Sequence, residues 1–422
     1  MYDGYVVLAN TNQVRPSGGP ESPYPEGLES TISGPQALHI ALERVINDTR
    51  ARISRIMSCP APAPETTSAP RRVLVSGGAG FIGASLAVGL ARGHPDWDVL
   101  AFDNLRRRGS ELNLPRLREA GVDFHHGDVR ELEDLLELGE VDALVECSAE
   151  PSVLAGVDGS PGYVVHTNLM GAYNCLELAR RSGAQFVFLS SSRVYPVAAL
   201  ERLAYREAGT RLELEDEQPL PGASARGIAE SFPLQGARTL YGATKLSAEL
   251  LMSEYAASYG LNTVINRCGV VAGPWQMGKV DQGVFTYWML AHHFQRPLSY
   301  IGFGGARKQV RDLLHIEDLL ELVDEQLGDP ARWAGVTVNV GGGRDCSLSL
   351  CETTELCRQI TGRTVEVSAS AEDRPGDIPI YVSDCSRLHE LTGWRARRGP
   401  AEILADIHAW IAEHESALAQ AL

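Results

Sequence analysis

Lysine is nearly missing from this sequence. Of the 38 basic residues, 35 are arginine and three are lysine, at positions 245, 279 and 308. Coding bias toward arginine is the simplest cause. Where such a chain keeps a lysine, the position can demand a compact ammonium of tunable proton affinity. Positive charge is in deficit overall, and a formal net charge of −16 argues against a nucleic-acid partner, because phosphate backbones need a basic face. A few local arginines still suffice for a small anionic ligand. No apolar run approaches the roughly 20 residues a membrane span needs, and no basic segment leads into an apolar stretch at the start. Neither a membrane partner nor a secretory signal is therefore expected. Eight cysteines without CxxC spacing exclude a disulfide scaffold and predict reduced thiols in a cytoplasmic protein. Eleven histidines show no HExxH or His/Cys ligand pattern, so no metal is expected.

What is present is apolar residue in quantity. A content of 44% apolar and 22% charged residues fits a globular protein with a large core. At roughly 100–200 residues per domain the length allows two or three domains. Residues 1–70 stand apart as an N-terminal extension, partly disordered by composition. One amphipathic helix is predicted within it, over roughly Pro35 to Met57, from Leu38, Ala41, Leu42, Val45 and Ile46 at helical spacing.

From Arg71 onward short β-rich runs alternate with helical stretches. Strands are predicted at Val73–Ser76, Val99–Phe102, Val122–His125, Ala143–Cys147, Phe186–Ser190, Thr263–Asn266 and Val336–Val340. Helices are predicted between them, among others at Gly83–Arg92, Glu131–Leu138, Asn168–Arg181 and Tyr241–Tyr259. Continuous apolar strands alternating with helices define an α/β fold, a Rossmann-type doubly wound parallel sheet covered on both faces. Residues 71–267 are read as mainly a dinucleotide-binding domain, with 196–239 inserted toward a second lobe. Residues 268–422 are read as mainly that smaller, interleaved substrate lobe, with the strand at 336–340 returning to the sheet.

Gly77, Gly80 and Gly83 follow the first strand and open a helix. The first suits a tight turn, the second lets backbone approach a pyrophosphate, and the third lets helix pack on strand. The helix N-terminus then presents free N–H groups to phosphate. Asp103 lies twenty residues past Gly83, at the end of the second predicted strand, where a carboxylate binds a ribose 2′-hydroxyl. It repels a 2′-phosphate, while Arg106, Arg107 and Arg108 follow closely and stand between a phosphate contact and a solvated charge run; NAD is favoured over NADP. Asp128 and Val129 follow a strand and could contact the adenine amino group.

Tyr241 and Lys245 form an i,i+4 pair on one helix face. An ammonium beside a phenol lowers the phenol's proton affinity and makes it a better general base. With 13 Tyr and three Lys in 422 positions, about 0.1 such pair arises by chance. Ser190, Ser191 and Ser192 stand at a predicted strand end, where folds of this class place ligands.

These residues resemble a known family. GGAGFIG at 77–83, DNL at 103–105, GDV at 127–129, SSSRVY at 190–195, YGATK at 241–245, RDLLHIEDL at 311–319 and RPGD at 374–377 are similar to motifs of the extended short-chain dehydrogenase/reductase superfamily of NAD-dependent nucleotide-sugar epimerases and dehydratases. The likeness covers roughly 71–415. Within the superfamily it is greatest to the CDP-paratose/CDP-tyvelose 2-epimerases, through DNLRRRGSELNL, YGLNTVINRCG, Asp281-Gln282-Gly283, RKQVRD and SLSL.

The resemblance implies catalysis by Ser191, Tyr241 and Lys245, and a tightly held NAD. Its contacts would be Gly77, Gly80, Phe81, Ile82, Gly83, Asp103, Asn104, Arg108, Asp128, Val129, Ala149, Asn168, Ser190, Tyr241 and Lys245. A nucleotide sugar would meet Ser192, Arg193, Gln282, Gln309, Arg311, Arg374 and Asp377, with Arg311 and Arg374 on the diphosphate and Asp377 near the nucleoside. In the 4,6-dehydratases an Asp-Glu pair follows the catalytic hydroxyl, and here Ser192 and Arg193 stand instead. Many relatives carry a diphosphate-binding Asn where this chain has Val270. A homodimer is implied, built on the helices at Asn168–Arg181 and Tyr241–Tyr259 with Leu176, Leu246, Leu250 and Leu251 in contact.

Cys147 and Cys268 are read as pocket packing. Lys279 and Lys308 stand between a phosphate contact and a solvated face. The resulting expectation is an NAD-dependent epimerase acting at C2 of a CDP-deoxysugar. A dehydratase, an epimerase at another carbon, or an oxidoreductase on a nucleotide sugar or nucleoside are alternatives within the fold. A non-catalytic NAD-binding regulator is the alternative of another class.

Overall fold

Seven of the apolar runs become the strands of one sheet in the computed structural model, which describes residues 71–157, 160–278, 282–370 and 376–421. The strands are β1 (Arg72–Ser76), β2 (Asp98–Asp103), β3 (Asp123–His126), β4 (Ala143–Glu146), β5 (Gln185–Ser191), β6 (Thr263–Cys268) and β7 (Val336–Val340). Their order is β7-β6-β5-β4-β1-β2-β3, and every pairing is parallel. The chain starts at β1, fills one side through β2 and β3, then crosses back to β4. That reversal leaves a crevice at the carboxyl ends of β1 and β4, where ligands bind in such sheets.

Helices cover both faces. On one, α1 (Phe81–Gly93) and the helix Ile316–Gly328 bury Leu86, Leu90, Leu319 and Leu322 against β1, β2 and β6. On the other, α2 (Gly171–Ser182) and α3 (Leu240–Tyr259) bury Leu176, Leu178, Ala248 and Met252. Leu176, expected at a subunit interface, therefore faces the core with no exposed surface. Leu246 packs against the inserted segment, and Leu251 packs on the core beside Met252. Of the four leucines only Leu250 points outward, 63% exposed.

A second lobe is built around Val310–His315, which pairs with Val270–Ala272, Ser347–Ser349 and Ile380–Tyr381. The inserted segment joins it: Leu200, Leu212, Ile228 and Phe232 share one cluster with Val310, Ile378 and Tyr381. The segment predicted as one helix over Asn168–Arg181 begins earlier, at Pro161, and passes through a π-helical turn at His166–Met170 before α2. Such turns are frequent at functional sites, and this one carries the buried Asn168. The predicted helix at Glu131–Leu138 is the shorter Leu132–Leu136. Among the described residues no helix is long and apolar enough to cross a membrane. The extension 1–70 and its expected helix lie outside the described residues.

Candidate active site

The turn after β1 closes only because two of its residues lack a side chain. Gly77 has φ +64°, and a Cβ on Gly83 would stand 2.1 Å from the Gly77 carbonyl oxygen. The N-terminus of α1 opens onto a cavity of about 520 Å³. Gly77, Gly80, Phe81, Ile82, Gly83, Asp103, Asn104, Arg108, Val129 and Ala149 line it. Asp103 accepts hydrogen bonds from the amides of Ala79 at 3.2 Å and Leu105 at 2.8 Å. Burial raises its carboxyl above the ordinary range. A glycine cradle, a helix N-terminus and a carboxylate tied to the same turn fit a dinucleotide: backbone N–H for the pyrophosphate and an acceptor for the ribose diol.

Three residues expected on the cofactor also hold other groups of the protein. Asp128 lies outside this cavity. Arg130 donates to it through Nε at 2.9 Å and Nη2 at 2.5 Å, and Asn104 donates at 2.9 Å. Those bonds, Arg130 first, hold its carboxyl down to about 2. Asn168 is 1% exposed. Its amide oxygen accepts from the Glu150 amide at 2.7 Å, and its amide nitrogen donates to the Glu150 carbonyl and Thr244 Oγ1. It thus pins the loop after β4 to α3. The Ser190 hydroxyl donates to Glu249 beneath the site.

Thr239 caps α3, its Oγ1 accepting from the Gly242 amide at 3.3 Å. This sets Tyr241 in the first turn and Lys245 one turn later. Gly242 lets α3 close on the serine turn, since a Cβ there would lie 2.0 Å from the Arg193 carbonyl oxygen. Ser191 ends β5, and its Oγ accepts from the Arg193 amide at 3.1 Å. Strand end and helix start thereby bring Ser191, Tyr241 and Lys245 to the wall of a second cavity, about 700 Å³. The two cavities share Ile82, Cys147, Ala149, Pro151, Gln276 and Gln282 as walls, so they adjoin.

Ser192, Arg193, Gln282, Gln309, Arg311 and Asp377 also line the second cavity. Arg311 and Asp377, expected on separate parts of a nucleotide, hold each other. Arg311 Nη2 donates to Asp377 Oδ1 at 2.9 Å and to the Ile378 carbonyl, and Nη1 donates to the Val310 carbonyl. Opposite charges side by side in a part-buried wall pair when nothing else neutralises them. Arg193 donates to the Gly376 carbonyl at 3.0 Å. Burial and the nearby Arg311 lower its pKa to about 10. Gln309 donates to the Ile301 carbonyl, while its buried Oε1 has no partner among the described residues. Gln282 accepts from Arg107, on the cofactor side. Val270 brings an apolar wall to the cavity. Arg374 and Lys279 lie outside the described residues. Lys308 pairs with Glu207 on the surface. Cys147 and Cys268 line the cavity as neutral thiols: burial pushes Cys268 up to about 12 and Cys147 well above the usual value.

Sequence reading missed two groups that organise this site. Glu146, the last residue of β4, meets Lys245 at 3.4 Å. Glu249 on α3 receives both Ser190 and Arg267. A carboxylate closing the otherwise apolar strand Ala143–Glu146 is a signal that could have revealed the first.

A dinucleotide cradle adjoining a Ser–Tyr–Lys pocket, on a parallel sheet, defines an enzyme of the extended short-chain dehydrogenase/reductase type. The chain matches the model of the NAD dependent epimerase/dehydratase family over residues 73–341, and it belongs to that family. Its cofactor is NAD. It is 28% identical over 351 residues to a CDP-paratose 2-epimerase of Salmonella typhi, covering 80% of this chain and 98% of the relative. It is 29% identical over 347 residues to a dTDP-glucose 4,6-dehydratase of Mycobacterium tuberculosis, covering 82% and 94%. Among solved structures, the UDP-glucose 4-epimerase of Thermus thermophilus, in complex with NAD, superposes with TM-score 0.62 at 27% identity, over 81% of this chain and 99% of that one. The UDP-glucuronic acid 4-epimerase of Bacillus cereus gives TM-score 0.64 at 22% identity, over 81% and 99%, a likeness of fold.

Proposed function

We propose that this enzyme epimerises a nucleotide sugar through a transient keto intermediate, at C2 of a CDP-linked deoxysugar. One observation carries the reading against elimination of water. Asp377 is the sole carboxylate lining the substrate cavity among the described residues, and it is paired with Arg311. Beside Ser191 stand Ser192 and Arg193, which supply no carboxylic acid and base to remove a hydroxyl. The likeness to a CDP-paratose 2-epimerase over nearly all of that protein's length supports the choice of base and carbon.

When bound, NAD supplies a reversible hydride acceptor to the sugar carbon. Tyr241 takes the proton of the reacting hydroxyl, Ser191 hydrogen-bonds the same oxygen, and Lys245 stabilises the phenolate. A cavity of about 700 Å³ leaves room for the keto sugar to turn and present its other face. The guanidinium of Arg193 offers N–H donors to the sugar or diphosphate. The enzyme works in the cytoplasm as a homodimer, with Leu250 on the outer face of α3 in the interface; a monomer by light scattering at micromolar concentration would exclude that pairing.

The test is to purify the protein, identify its bound cofactor, and follow CDP-, UDP-, GDP- and dTDP-sugars by NMR in D₂O. Inversion without deuterium at the inverted carbon is expected, because the hydride returns to the carbon it left. Deuterium there, or a product lacking the elements of water, overturns the reading.

A further inference from the structure

A buried carboxylate lies against the lysine of the catalytic centre. Glu146 is 1% exposed and Lys245 2% exposed, and Lys245 Nζ donates to Glu146 Oε2 at 3.4 Å. The ammonium also lies 4.4 Å from the ring centroid of Phe188 on the adjacent β5. Among the described residues it makes no other hydrogen bond. An ammonium so far from water sheds its proton unless an anion compensates it.

We propose that Glu146 is the counter-ion that keeps Lys245 protonated, and that through Lys245 it positions the charge acting on Tyr241. The other titratable groups facing the pair are Tyr241 and three cysteines. Tyr241 lies one turn back on α3. Cys147 follows β4, Cys175 projects from α2 and Cys268 closes β6, and burial raises all three thiols so that they stay neutral. Burial also pulls each partner toward its neutral form. It raises the Glu146 carboxyl. Alone it would lower Lys245, but Glu146 and then Tyr241 outweigh it and Lys245 stands above the ordinary lysine value.

The proposal rests on Tyr241 as proton acceptor, while its test reads the lysine directly. Three lysines in the whole chain make this practical. Full-length, NAD-loaded protein carrying [¹³Cε]lysine is titrated by NMR, and Lys245 is assigned by loss of its signal in Lys245→Arg. In wild type the Lys245 midpoint is expected at or above the ordinary lysine value of about 10.4. In Glu146→Gln it should fall by about 3 pH units, as for a buried amine without its anion. Glu146→Asp, which keeps the charge, should restore it to within about one unit. An unchanged midpoint in Glu146→Gln overturns the proposal. Should that variant not fold, the wild type decides: a Lys245 midpoint below the ordinary lysine value of about 10.4 overturns it, and one at or above supports it. Finding no sugar that the enzyme turns over would sink the proposed function and leave this titration readable.

Discussion

Arg267, next to the end of β6, donates to both carboxylate oxygens of Glu249 on α3, with a closest approach of 2.7 Å and side-chain exposures of 7% and 5%. Glu249 also takes the hydroxyl of Ser190. Arg267 reaches onward to the Tyr195 hydroxyl, which donates to Asn339 at 2.8 Å. This buried chain joins α3, β5, β6 and β7. Ser191 and the Tyr241–Lys245 pair come from different elements, and the chain holds those elements in one relative position.

Glu249→Ala should therefore be costly. It leaves a buried guanidinium without its anion, and removal of one partner of such a pair costs about 3–5 kcal/mol. Glu249→Leu combined with Arg267→Met should recover most of that loss, because apolar replacement of both charges is close to neutral. Denaturant unfolding of the single and double variants checks this. A single variant as stable as wild type would contradict the role given to the pair.

Tyr241→Phe keeps the ring and its packing while removing the proposed proton acceptor. Turnover of a confirmed substrate should drop by about 10²–10⁴-fold, with fold and bound NAD retained. Lys245→Arg should also be damaging, because guanidinium cannot occupy the place of a compact ammonium beside Phe188 and Glu146. Near wild-type turnover in Tyr241→Phe would move attention to Ser192, Cys147 and Cys268.

An enzyme that returns its hydride to the same carbon must not release reduced cofactor midway, so NAD(H) should copurify. Asp103→Ala should lower that occupancy. It removes the carboxylate proposed to hold the ribose, together with the brace on the Ala79 and Leu105 amides. Absorbance and enzymatic assay of released cofactor give the measurement, and full retention by the variant would contradict the ribose assignment.

Asp312 sits with no exposed surface on the strand Val310–His315 of the second lobe. Its Oδ2 accepts weakly from the amides of Gly343 and Ser383, and Oδ1 has no partner among the described residues. Burial raises its carboxyl to about 6, from 3.8. The folded state therefore binds a proton that the unfolded state has already lost across that interval. This contribution to stability is complete below about pH 4 and disappears as pH rises past 6. Wild type should lose on the order of 3 kcal/mol over that window relative to Asp312→Asn. Parallel pH slopes of unfolding free energy in the two proteins would show that Asp312 does not titrate there.

What the sequence alone determined is whatever depends on short spacing. Gly77 and Gly83 are separated by one turn and one helix start. Tyr241 and Lys245 are one helical turn apart, and Ser191 ends an apolar run. In each case local backbone geometry dictates which atoms meet, so residue type and interval suffice. Partner choice across the sheet is another matter. Glu146 is 99 residues from Lys245, Ser190 59 from Glu249, and Arg311 66 from Asp377. Those encounters exist because β4, β5 and β6 lie side by side with α3 above them, and because the second lobe folds back on itself. Leu176 makes the same point for apolar residues. An amphipathic helix declares one greasy face, but only the packed structure says that α2 turns that face to the sheet and leaves Leu250 of α3 outside. Charges taken out of water pair with whichever opposite charge the tertiary fold puts within reach, and that neighbour is not encoded in any interval along the chain.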